Sequence, residues 1–149
     1  MKSIKKSDSI EQEKAERIIF ENVKKSLGVD LKENVEISVG STYIKPDFYS
    51  EDERIIGEIF AHIGKPKSGQ DRKVAYDILK MLLLEKMEGV NYKKMIAVCG
   101  EEEFKKLKGE SMLAECIRQF DIEVKMINIE SDLRDALIVA QERQRMVNV

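Results

Sequence analysis

The sequence predicts a single α/β domain built on a mixed β-sheet with helices on both faces, in the element order αβββαβαβα. Three observations predict it: an opening helical pattern, three extended segments in a row, and a regular alternation of helical and apolar extended segments after them. A meander followed by crossover units is satisfied most economically by antiparallel strands at one edge of a sheet and parallel strands beyond them. At 149 residues the chain has the length of one domain with its own core, so 1–149 is read as one unit, with the basic, polar segment 1–8 as a flexible lead.

The elements follow in order. Between Ser9 and Leu27, apolar residues Ala15, Ile18, Ile19, Phe20, Val23 and Leu27 recur at helical spacing; Ser9 with Gln12 makes a capping box, and Gly28 ends the helix. Residues 35–41, 43–49 and 54–63 read as extended, the last two joined by the polar turn Ser50-Glu51-Asp52-Glu53. Ser68 is the expected N-cap of a long helix over 70–87, whose Val74, Ile78, Leu79 and Met81 to Leu84 give it a broad apolar face. The apolar run 95–99, bounded by Lys94 and Gly100, fits a parallel strand covered on both faces. A helix over 112–120, a strand over 122–129 and a helix from Ser131 to about Met146 complete the order.

Composition narrows the function classes. An apolar share of 42% with 36% charged residues is globular, and a net charge of -2 gives no overall field that would attract nucleic acid, so such binding needs a local basic patch. The two cysteines, Cys99 and Cys116, have neither metal-ligand nor disulfide spacing and read as buried thiols in a reducing compartment. No apolar stretch is long enough to span a bilayer, so the expectation is a cytoplasmic protein with no membrane partner.

The reactive candidates lie on the meander. Asp47 follows Pro46 near the end of one extended segment, and Glu58 sits among Ile56, Ile59 and Phe60 in the next, where an ionised carboxylate is costly without a cation or donor. Hairpin pairing can set the two acids side by side, and close like charges stay ionised around an oxygen-loving cation such as Mg²⁺. Gly57 leaves room for a backbone or ligand to approach. The bland alternative pairs one or both acids with a lysine or arginine at the sheet edge. On the first helix Glu16 falls inside the apolar stripe, one turn after Gln12, which carries it inward unless it bends out to water as a boundary glutamate. The segment 64–73, with Lys65, Lys67, Arg72 and Lys73 around a helix start, suits phosphate oxygens, although Gln70, Lys73, Asp77 and Lys80 also form an ordinary solvated stripe with a Lys73 to Asp77 pair. His62, the one histidine, shares a strand face with Glu58 and Phe60 and is a candidate ligand or proton acceptor.

Pro46-Asp47 followed by Glu58 in the next strand, after a leading helix and before a helix carrying Gln70, resembles the PD-(D/E)XK superfamily of restriction-endonuclease-like nucleases. The resemblance implies a restriction-endonuclease-like fold in which Asp47 and Glu58 bind Mg²⁺ or Mn²⁺, Glu16 joins them, and Gln70 matches a helix glutamine found in some branches. The family's lysine, two residues after the strand glutamate, supports the nucleophilic water; Phe60 stands there instead. Lys73, Lys65 and His62 are the candidates to replace it. The expectation is a metal-dependent endonuclease hydrolysing DNA phosphodiesters, with Asp47, Glu58, Lys73 and His62 catalytic and Lys65, Lys67, Gln70 and Lys73 on the nucleic acid. The alternative is a nuclease-like fold without chemistry that binds nucleic acid or assembles with proteins. A homodimer is left open.

Overall fold

The computed structural model describes residues 2–147 and the side chains of 10–145. Its elements are α1 (Lys2–Leu27), β1 (Lys32–Glu33), β2 (Ile37–Val39), β3 (Thr42–Ile44), β4 (Phe48–Ser50), β5 (Ile55–Phe60), α2 (Ser68–Glu88), β6 (Lys93–Val98), α3 (Glu101–Leu107), α4 (Met112–Gln119), β7 (Ile122–Met126) and α5 (Ser131–Val147). Five strands form one mixed sheet in the order β1-β4-β5-β6-β7, and β2 and β3 form a separate hairpin. β5, β6 and β7 run parallel, whereas β4 is antiparallel to β5 and β1 antiparallel to β4. The α/β class and the mixed sheet with helices on both faces agree with the sequence.

Alternation along β5 divides the core. Ile55, Ile59, Ala61 and Ile63 pack with Ala15, Ile19, Phe20 and Val23 of α1 and with Leu133 and Leu137 of α5. Ile56 and Phe60 face the other way, onto Val74, Ile78, Met81 and Leu84 of α2, Leu107 of α3, Ile117 of α4 and the hairpin residues Val39 and Ile44. Both faces of β5 are therefore covered, and all six of its residues are buried. Among the described residues no helix is long and apolar enough to cross a membrane.

Five local expectations are corrected. The segment 43–49 is not one strand: β3 pairs with β2 outside the main sheet, and β4 starts afresh at Phe48. Pro46 has no amide hydrogen to give the ladder, and the Asp47 side chain takes the Ile59 amide, so pairing breaks there. α1 begins at Lys2 rather than after a Ser9 cap, while the side chains of the lead 1–8, expected to be flexible, lie outside the described residues. The N-cap of α2 is Lys67, whose amide donates to Gln70 Oε1 at 2.6 Å, so Ser68 is already helical. β1 and α3 carry too few apolar residues for periodicity to reveal them; α3 offers only Phe104 and Leu107. Cys99 is buried as expected, whereas Cys116 is half-buried.

Gly57 is needed for packing. It pairs across the ladder with Phe48, and a Cβ at position 57 would lie 2.0 Å from Phe48 Cζ. The space beside Glu58, expected to admit a backbone or ligand, is filled by that ring. Gly57→Ala should cost roughly 2–3 kcal/mol through overpacking in urea denaturation. Phe48→Leu in the same background should recover part of that loss, because the clash is with the ring. Additive losses in the double variant would show that Gly57 and Phe48 are not coupled.

Candidate functional site

The register that pairs Phe48 with Gly57 and Tyr49 with Ile56, continued one step, sets Asp47 across from Glu58 on the same face of the sheet. Asp47 Oδ2 accepts the Ile59 amide at 2.7 Å, which fixes the carboxylate where the ladder ends. Glu58 points to the α2 side with its side chain 3% exposed. There it meets a helix that carries Asp77 inward between Val74, Met81 and Leu84.

Lys80 completes the cluster. Its Nζ lies 3.4 Å from Glu58 Oε1 and 3.2 Å from Asp77 Oδ1, and Lys73 Nζ lies 3.2 Å from Asp77 Oδ2. Glu58 Oε2 is buried with no hydrogen-bond partner. Three acids, Asp47, Glu58 and Asp77, thus face two ammonium groups, one of which, that of Lys73, is largely in water. Burial, and then the charges of Asp47 and Asp77, push the Glu58 carboxyl from 4.5 up to about 9 against the pull of Lys80 and Lys73. Asp47 is raised chiefly by burial, opposed by the Ile59 amide and Lys73. Burial works against the Lys80 charge, but Glu58 and Asp77 together outweigh it and hold the ammonium above the ordinary lysine value.

Glu16 approaches from the opposite side of the sheet, since α1 packs on the Ile59 face. It is half-buried, and burial, followed by the Asp47 charge, raises its pKa, while a hydrogen bond from Gln12 lowers it. Gln12 also donates to Ala61 O at 3.1 Å. Glu16 therefore sits within the electrostatic reach of Asp47. Lys65 and Lys67 are exposed on the loop before α2, and Gln70 is engaged in the α2 cap.

His62 belongs to a second cluster at the far end of β5. Its Nδ1 lies 2.5 Å from Oε2 of the fully buried Glu103, and its ring stacks on Phe60 at 5.7 Å between centroids. A Cβ on Gly100 would lie 2.0 Å from Glu103 Oε1, so glycine at that position makes room for the carboxylate. The buried Cys99 thiol is pushed up to about 12 by burial and then by the Glu103 charge, which leaves it protonated and a poor nucleophile or ligand. Phe60 separates the two clusters.

Sequence reasoning missed Lys80 and Asp77 as site residues, placing both on a solvated stripe. The signal was present: on the helical wheel Asp77 falls among Val74, Met81 and Leu84, so an acid stood in the apolar face of α2 as Glu16 does in that of α1.

A divalent cation fits this donor set in one respect. Asp47 and Glu58 offer carboxyl oxygens in a cluster where acidic groups outnumber ammonium groups, and one buried oxygen of Glu58 has no partner. Among the described residues no three His, Cys, Asp or Glu side chains converge as a ready set of ligands, so protein groups alone would not complete a coordination shell. Mg²⁺ commonly takes one or two carboxylates and leaves its other positions to water and phosphate oxygens.

The raised Glu58 pKa fixes the sign of a pH effect in metal-free protein. Below 4.5 the group is protonated both folded and unfolded; between 4.5 and about 9 only the unfolded chain gives up the proton. The contribution of this group to stability is therefore fullest below 4.5 and is lost as pH rises toward about 9. Urea denaturation in EDTA should record that decline, and Glu58→Gln should flatten most of it; an unchanged slope in the variant would place the titration elsewhere. Comparisons with protein-family models, with curated proteins and with solved structures return no match, which leaves side-chain geometry as the guide to chemistry.

Proposed function

We propose that the chain is a metal-dependent nuclease that hydrolyses DNA phosphodiesters with a restriction-endonuclease-like site. The observation that carries this reading is the Lys80 ammonium 3.4 Å from Glu58 Oε1. Phe60 removes the strand lysine of the superfamily pattern, and α2 brings another lysine to the same carboxylate from across the sheet face. Asp47 and Glu58 would hold the divalent ion, with Glu16 contributing from the α1 side. When bound, the ion would neutralise phosphate charge and lower the pKa of water.

The remaining roles fall to the chain's own groups. Lys80 orients the attacking water or a phosphate oxygen and stabilises negative charge as it develops. Asp77 holds Lys80 toward Glu58 and draws Lys73 to the rim, where Lys73 is exposed enough to meet a phosphate. Lys65 and Lys67 hold the nucleic-acid backbone through charge without reading sequence. His62, engaged with Glu103, positions the end of β5 in this scheme.

A second reading has its own support: Phe60 fills the lysine position with a ring packed on His62, and no three-ligand group is present among the described residues. In that reading the domain binds nucleic acid or assembles with proteins and cuts nothing.

Purified protein with Mg²⁺ or Mn²⁺ should nick or cut at least one of duplex, single-stranded, branched or mismatched DNA. Glu58→Gln should stop cleavage without unfolding the chain, and Lys80→Ala should slow it by about 100-fold or more, with smaller losses for Lys73→Ala and His62→Ala. No cleavage under either metal, with Glu58→Gln more stable than wild type, would select the binding module. DNA affinity should fall with salt, and replacing Lys65, Lys67 and Lys73 together with Ala should lower both the affinity and the salt slope. Equal binding by this variant and wild type at every ionic strength would remove these lysines from the interface.

A further inference from the structure

Helix α2 is apolar on two sides. One side, Val74, Ile78, Met81 and Leu84, is buried in the core. The other carries Tyr76, Leu79, Leu83 and Met87, which are 65%, 62%, 39% and 51% exposed. At spacings of three, four and four residues these side chains fall within about 80° of arc and make one continuous stripe. Single exposed apolar residues need no explanation, and Ile10, Tyr43, Met112, Phe120 and Val139 are scattered over other elements. Four in a row on one helix face mark a surface that is covered.

We propose that this face is an isologous interface, on which α2 of a second copy of the chain packs antiparallel across a two-fold axis. The order of side chains is self-complementary by size. Turning the helix end over end sets Leu79 against the second copy's Leu83, and Tyr76 against its Met87. Antiparallel helices also oppose their macrodipoles favourably.

Charge runs the same way. Exposed Lys65, Lys67 and Arg72 lie at the N-terminal end of α2, while the exposed turn Glu51-Asp52-Glu53 lies near its C-terminal end, tied there by the Lys93 amide on Arg54 O at 2.7 Å. An end-over-end rotation brings the basic end of one copy toward the acidic turn of the other. Lys80 beside the stripe is paired with Glu58 and Asp77, and the antiparallel register sets Lys86 near Ala75.

The size is adequate. Four large side chains about half exposed present on the order of 300–400 Å² of apolar surface per copy. The stems of Arg72, Lys80 and Lys86 extend the face toward the roughly 800 Å² per partner of a standard interface. The Lys80 ammonium stands over the Tyr76 ring at 5.5 Å from its centroid, so the interface reaches the rim of the acidic cluster. The inference stands apart from the nuclease reading and holds whether or not the chain cuts DNA.

Sedimentation velocity and light scattering on the full chain, from about 1 to about 200 µM, bracket the micromolar affinities of modest interfaces. The expected result is a mass twice that of the chain at the upper concentrations. Leu79→Glu with Leu83→Glu, whose fold is checked by circular dichroism, should remain monomeric throughout. A wild type that stays monomeric overturns the proposal. So does a dimer that persists in the double variant, which would place the interface elsewhere. Should wild type stay monomeric but bind anionic vesicles or DNA in a manner lost in the double variant, the stripe serves a different occupant and the two-fold interface is likewise overturned.

Discussion

The arrangement depends on one constraint: a carboxylate, Glu58, stands in the middle of a strand covered on both faces. Leaving an ionised carboxylate there alone would cost several kcal/mol. The fold answers by carrying Lys80 and Asp77 inward on α2 and by holding Asp47 across from Glu58 through the Ile59 amide. The compensation is incomplete, because Glu58 Oε2 has no partner and the acids outnumber the cations. An isoleucine at position 58 would match its neighbours and remove the problem. Retaining an under-compensated acid is more consistent with a chemical role than with packing, and this motivates the proposed metal site.

Register connects the packing to the site. Phe48 over Gly57 defines how β4 meets β5, and that pairing puts Asp47 on the Glu58 rung. A slip of one residue would turn Glu58 toward Ile19 and Phe20 of α1 and bring an isoleucine to Lys80. The same glycine that looked like room for a ligand therefore acts on the site at one remove, by fixing the strand that carries it.

β5 carries two acid-containing clusters on one face, and Phe60 lies between them. Upstream, Glu58 is met by a lysine and shares its surroundings with other acids; downstream, His62 is held by a carboxylate that is itself buried and accommodated by Gly100. The second cluster ties the end of β5 to the start of α3 and suits a structural tie. Each cluster has one buried carboxylate oxygen without a partner, Glu58 Oε2 and Glu103 Oε1, but only the first adds further acids and a partly exposed lysine at its rim, which suits a ligand. Strand alternation places both clusters on one face, and their partners distinguish them.

Much of this was legible in the residues. The α/β class, the mixed sheet, the long core helix and the parallel strand at 95–99 followed from periodicities of 3.6 and 2, which report burial of one face or both. Asp47 and Glu58 stood out because a proline and an acid are out of place in strands. The sequence did not reveal that 43–49 splits into two strands, since that depends on the Ile59 amide finding a side chain twelve residues away. Nor did it find Lys80. The sequence favoured Lys73, then Lys65, as the cation near Glu58, and only the packing of α2 across β5 brings Lys80 to that carboxylate. Local pattern determined which segments are helix and strand and which faces are apolar; the partner of a buried charge was decided by which elements pack together, because an ion pair joins residues that only the tertiary fold brings near.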